Sequence, residues 1–186
     1  MKRLVTGILI SVLALIAAAC AGSGGTDATP AASPSAGPQM GVFTSDDLLF
    51  TAGGAAFALR SDVAPLLAAL GEDYDYSEAI SCVFEGFDKT YDYGDVAIYT
   101  NPDGKADLIN EIIVYSERYP TAKGVAVGSS RTDVVAAYGE PHIDDNGIYT
   151  YVDGDPADLA NPRLLIDLTE GTVAWIDYYY PTNITD

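Results

Sequence analysis

Ser130-Arg131-Thr132-Asp133-Val134-Val135-Ala136-Ala137-Tyr138-Gly139-Glu140-Pro141 carries both of its own boundaries. Ser130 and Asp133 have capping-box spacing, in which the hydroxyl accepts a backbone N–H of the first turn and the acid reaches back to the cap. Gly139 and Pro141 end the segment. Val134, Val135 and Tyr138 fall on one side between them, so the stretch predicts a short helix over Thr132–Tyr138. An earlier segment follows the same plan. Asp62 stands as N-cap, Pro65 sits in the first turn where its missing N–H is harmless, and Gly71 is the stop. Val63, Leu66, Leu67 and Leu70 recur at i, i+3, i+4 and i+7, which predicts a helix over Ser61–Leu70.

Strands follow each helix. After the first, the runs rich in Val, Ile and Tyr are Ile80–Glu85, Lys89–Tyr93, Val96–Thr100 and Ile109–Ser116, with turns at Tyr93-Gly94-Asp95 and Asn101-Pro102-Asp103-Gly104. After the second they are Ile148–Val152, Arg163–Leu168 and Thr172–Tyr179, with Thr169-Glu170-Gly171 as a hairpin connection. The two halves match when aligned. Leu70-Gly71 corresponds to Tyr138-Gly139, Tyr91-x-Tyr93 to Tyr149-x-Tyr151, and Val96-Ala97-Ile98 to Leu164-Leu165-Ile166. A helix and a meander of about 60 residues cannot bury a sheet face alone, so two copies sharing a core are expected. The fold class is α+β: two tandem units, each a short helix (or helix pair) packed on an antiparallel β-meander. The first spans residues 42–120 with four strands and the second 121–186 with three.

The N-terminus reads as an address. Met1-Lys2-Arg3 is a positive n-region and Leu4–Ala19 is apolar and uncharged, the layout of a secretory signal peptide over residues 1–19. Small residues Ala17-Ala18-Ala19 precede Cys20, and this junction resembles the lipobox of bacterial lipoproteins, which implies lipidation of Cys20 and anchorage to the cell membrane outside the cytoplasm. Ala17 stands where that motif usually has Leu. Residues 20–41 are built from Ala, Gly, Ser, Thr and Pro and read as a linker with too little apolar surface to fold.

Gly124-Val125-Ala126-Val127-Gly128-Ser129-Ser130, running into the helix and then Gly139-Glu140-Pro141, is similar to the opening of small lipoproteins. These include the outer-membrane-assembly small lipoprotein and the tandem-repeat β-lactamase-inhibitor-like fold. Ser81-Cys82 followed by Gly86-Phe87-Asp88-Lys89-Thr90-Tyr91-Asp92-Tyr93 resembles a group of uncharacterised lipoproteins of Gram-positive anaerobes. The resemblance implies the tandem fold and supplies no catalytic residue.

The whole chain has 186 residues, 27 Asp+Glu, 9 Lys+Arg, one His and a net charge of −18. That balance argues against nucleic acid, because phosphate contacts need clustered bases. Cys82 is the one Cys left after lipidation and is expected to pack as a small buried hydrophobe. A Cys82–His142 nucleophile pair would need an electropositive setting to lower the thiol pKa, which an acidic chain disfavours. The loops Asn101–Asp107 and Asp153–Asp158 concentrate oxygen ligands of the kind Ca²⁺ takes, yet neither has the full loop spacing and turn chemistry alone accounts for them. Asp144-Asp145 reads as a solvated turn before Ile148. No residue set asks for a cofactor.

The tyrosines are the distinctive feature. Tyr91 and Tyr93, and Tyr149 and Tyr151, alternate along their strands, and Tyr178 begins a dense Tyr178-Tyr179-Tyr180 end. One reading puts Tyr91, Tyr93, Tyr149, Tyr151 and Tyr178 in the core beneath the helices. The other makes them an exposed acidic Tyr-rich sheet face that selects a basic protein or a glycan in the envelope. The functional expectation is a lipid-anchored binding or scaffold protein acting by non-covalent recognition. Its alternatives are an envelope hydrolase using carboxylates, with or without calcium, and an inhibitor-like protein.

Overall fold

Two helix-plus-meander repeats meet edge to edge in one eight-stranded antiparallel sheet. The computed structural model describes residues 41–182. Cys20 and the expected signal segment and linker up to residue 40 lie outside the described residues.

After a 3₁₀ turn at Ser45–Leu48 comes a hairpin, β1 (Phe50–Ala52) and β2 (Ala55–Phe57), joined by Gly53-Gly54. The first repeat is α1 (Ala64–Leu70), β3 (Asp75–Ile80), β4 (Phe87–Asp92), β5 (Val96–Asp103) and β6 (Ala106–Val114). The second is α2 (Arg131–Tyr138), β7 (Ile143–Asp145), β8 (Ile148–Val152), β9 (Arg163–Asp167) and β10 (Ile176–Tyr179). The strand order is β3-β4-β5-β6-β10-β9-β8-β7, so each repeat is a complete meander and their last strands pair at the centre.

The register makes the repeats equivalent residue by residue. Tyr91 pairs with Ile98 and Ile98 with Ile112; Tyr149 pairs with Ile166 and Ile166 with Ile176. At the seam Ile176 pairs with Val114 and Tyr178 with Ile112, which relates β6 and β10 by an approximate two-fold axis through the Ile113–Asp177 pair. Both helices end at glycines, Gly71 and Gly139, with φ of 97° and 82°, a conformation that only glycine adopts without strain. Each carbonyl is held by the equivalent tyrosine: Tyr93 Oη donates to Gly71 O at 2.9 Å and Tyr151 Oη to Gly139 O at 3.0 Å. The aligned Tyr-x-Tyr pairs are therefore one clamp used twice.

One face of the sheet, here the inner face, carries the helices. Leu66 of α1, Val134 and Tyr138 of α2, and Phe50 of β1 join Ile98, Ile112, Val114, Leu164, Ile166 and Ile176 in a single core. Neither repeat owns a separate core, as expected from the apolar area each could bury alone. Phe50 meets Tyr178 edge-on at 5.9 Å, and Tyr138 and Phe43 contact Tyr151 at 5.3 and 5.6 Å. The chain enters this body at Gly41, whose N–H donates to Ala136 O at 2.8 Å. Asp47, 4% exposed, pairs with Lys123 at 2.7 Å and so ties the entry segment to the loop between repeats.

The α2 boundary is where the sequence places it: Ser130 accepts from Asp133 N–H, and Asp133 returns a bond to Ser130 N–H. Other elements differ from expectation. The helix expected from Ser61 starts at Ala64, because residues 60–63 pair with β6 instead: Arg60 N–H donates to Ile109 O and Val63 N–H to Asp107 O. The strand expected at Ile80–Glu85 lies at Asp75–Ile80, and residues 81–86 form a turn in which Ser81 Oγ accepts the N–H groups of Val83 and Phe84. That turn carries Cys82 into solvent, which corrects the expectation of a buried thiol. The second repeat has four strands rather than three, since Asp144-Asp145 belongs to β7 and the turn is Asn146-Gly147. The strand expected at Thr172–Tyr179 is confined to Ile176–Tyr179; Thr172 bridges back to Ser130.

Candidate functional site

Side-chain alternation sorts the tyrosines into two sets. Tyr91, Tyr149, Tyr151 and Tyr178 point under the helices and are 7, 5, 0 and 1% exposed. Tyr93 is half-buried with its hydroxyl on Gly71. As a binding set on an open surface, these five are corrected: four are core and the fifth is a clamp. Burial first, and then nearby phenols and acids, raises the Tyr151 and Tyr178 phenols well above the usual range, and burial with the neighbouring tyrosines pushes Tyr93 up to about 12.

The opposite, outer face has no helix on it among the described residues. Its middle row crosses all eight strands as Asp75, Asp92, Ala97, Ile113, Asp177, Leu165, Thr150 and Ile143. The adjacent row runs Thr90, Tyr99, Glu111, Tyr179, Arg163 and Val152. Tyr115, 45% exposed, follows Ile113 on the same side. An acidic Tyr-rich sheet face therefore exists, built from Tyr99, Tyr115 and Tyr179. Reading these three from sequence needed the strand parity: once Tyr91 is set against Ile98, Tyr99 must face the other way.

Glu111 and Asp177 stand at the centre of this face. Asp177 is 8% exposed, and its Oδ1 has no hydrogen-bond partner. Burial raises its pKa, and the neighbouring Glu111 charge raises it further. Glu111 is itself shifted up by burial, with the neighbouring Asp177 carboxyl opposing that rise. Asp177 is the more strongly raised of the two, pushed up to about 9, and so holds a proton at neutral pH. Tyr99, Tyr115 and Tyr179 are raised first by burial and then by the surrounding groups, with Glu111 and Asp177 acting on all three. The cation beside Tyr179, Arg163, is occupied: its Nε donates to Asn161 O, and its Nη2 donates to Leu159 O at 2.8 Å.

The remaining candidates are dispersed. Cys82 lies beside β3 at one edge of the sheet and His142 precedes β7 at the other, so the two do not form a pair. His142 Nδ1 accepts the Val152 N–H at 2.9 Å, a structural use of the ring. In the Asn101–Asp107 hairpin, Asp107 pairs with Lys89 at 2.8 Å. In the Asp153–Asp158 loop, Asp155 and Asp158 each accept a backbone N–H from two residues on, at 2.9 Å. These are Asx turns, in which the carboxylate completes the loop. Among the described residues no group of three or more His, Cys, Asp or Glu is placed to hold a metal ion, and no helix is long and apolar enough to cross a membrane.

No family model matches the chain, and neither a curated protein nor a solved structure matches it.

Proposed function

We propose that the protein is an extracytoplasmic binding protein, anchored through lipid on Cys20, that recognises a basic protein partner through the outer face of its sheet. The observation that supports this reading is the gathering of Tyr99, Tyr115 and Tyr179 with Glu111 and Asp177 on a face free of helices among the described residues. Tyrosine supplies contact area with little side-chain entropy to lose, which is why it is enriched at interfaces. A net charge of −18 favours cationic partners and speeds their encounter at low salt. The anchor is supported by residues 1–20 alone. Lipid on Cys20 would keep such a head near the membrane surface while its charge repels anionic headgroups.

The test is crosslinked capture from the native envelope with the acylated full chain. A partner bound through this face is lost at least tenfold with Tyr115→Ala and Tyr179→Ala, and it weakens steeply as salt is raised. Leu159→Ser, at an exposed site off the face, leaves its recovery unchanged. Recovery that ignores both tyrosine variants overturns the sheet-face reading. Mass spectrometry of the native N-terminus checks the anchor, and an unmodified Cys20 removes it.

A further inference from the structure

The approximate two-fold axis provides an internal control for Asp177, because its equivalent in the first repeat is Ile113. The fold at this position is thus satisfied by an aliphatic side chain, and a carboxyl buried between Ile113 and Leu165 is no requirement of the sheet. Glu111 is likewise unmatched, since its counterpart is Trp175. A carboxyl buried with an oxygen left unpaired is destabilising by on the order of 1–3 kcal/mol, which a purely structural role does not explain. Tyr115 and Tyr179, by contrast, are each other's equivalents and flank the axis on both sides. Asp177 thus sits in the row between two symmetry-related tyrosines, and Glu111 is the cross-strand partner of both Tyr99 and Tyr179.

We propose that the Glu111–Asp177 pair is the receptor for one cationic side chain, lysine or arginine, of the basic protein partner. This rests on the sheet-face reading above and adds the residue that the face selects. Carboxylates oppose the charge, while phenol rings hold an ammonium or guanidinium by their π-faces. Two carboxylates with no third ligand fit an organic cation and fall short of the six to eight oxygens that calcium takes. In the free protein the pair holds one proton. An arriving cation takes that proton's place, and the proton passes to solvent. Binding is therefore tighter at higher pH. The other groups facing the pair are Asp92 on β4, Tyr99 on β5, Tyr115 just past the end of β6, Tyr179 on β10, and Arg163 and Asp167 on β9.

The experiment titrates the full chain with N-acetyl-lysine methylamide and its arginine counterpart, followed by amide NMR shifts and by calorimetry in two buffers of different ionisation enthalpy. The expected result is saturable binding with shifts centred on β5, β6 and β10 and close to one proton released per cation at pH 7. Asp177→Ile, which copies the first repeat and keeps the fold by its thermal melt, weakens binding at least tenfold. Shifts scattered over the acidic loops, or binding by Asp177→Ile within twofold of the wild type, overturn the proposal. Tighter binding of tetramethylammonium than of the lysine probe overturns the assignment to a protein side chain. If the probes fail while Tyr115→Ala and Tyr179→Ala still abolish envelope capture, the receptor falls and the sheet-face reading stands.

Discussion

The two repeats agree closely beneath the helices and differ in their acids on the other side of the sheet, where only Tyr115 and Tyr179 around the axis are alike. Under the helices, Tyr93 and Tyr151 clamp Gly71 and Gly139 in the same way, and Tyr91–Ile98–Ile112 has its counterpart in Tyr149–Ile166–Ile176. Across the sheet, Ile113 faces Asp177, and the position of Glu111 is Trp175 in the other copy. Packing against the helices keeps the equivalent core positions apolar or aromatic, although Val114 and Tyr178, which the axis relates, differ in volume. The outer face, which carries no helix among the described residues, tolerates more difference, and there Asp177 stands where the first repeat has Ile113.

The core likeness breaks first at its deepest point. Tyr151→Ala should cost about 4 kcal/mol in urea unfolding, because a fully buried ring leaves a cavity among Tyr138, Phe43 and His142. Tyr93→Ala, half-buried, should cost roughly half as much. Equal costs would show that the clamps bear on the core equally and that the repeats are closer than their burial suggests.

Asp177→Ile sharpens the difference on the outer face. It should stabilise the protein by about 1–3 kcal/mol at neutral pH by removing a buried unpaired oxygen. The pH dependence follows from the raised pKa. Above about pH 4 the unfolded chain has released the proton that folded Asp177 still holds. The native state then binds more protons than the unfolded one, and stability falls as pH rises toward the folded pKa. The advantage of Asp177→Ile should therefore grow from pH 5 to pH 8. An advantage that stays constant or shrinks would mean that burial does not hold the proton on Asp177.

The smallest effect tests the clamp itself. Tyr93→Phe and Tyr151→Phe each remove one hydroxyl from a glycine carbonyl and should each cost about 1 kcal/mol. A loss in only one of them would make the shared hydrogen bond a feature of one repeat.

Much of the first half of this comparison was legible in the chain. Ser130, Asp133 and Gly139 announced α2, because capping groups lie within a few residues of the backbone atoms they satisfy. The alignment of Tyr91-x-Tyr93 with Tyr149-x-Tyr151 survives in the register. Elements at the sheet edges were the ones misread. β3 has every residue exposed and β7 is three exposed residues, so neither carries the apolar alternation that marks a strand. The outer face was misread for a related reason. Tyr99, Tyr115 and Tyr179 share no local spacing and become neighbours only across β5, β6 and β10. Asp177, set in Trp175-Ile176-Asp177-Tyr178-Tyr179, was the one local sign that the last strand held something besides packing.

From the order of residues alone came the ends of α2, the glycine stops and the tyrosine pairs, since each depends on groups a few positions apart. Which side of the sheet the helices cover, and that β6 meets β10, depends on burying two incomplete apolar faces in one core. That long-range choice sent one set of tyrosines inward and brought the other to Glu111 and Asp177.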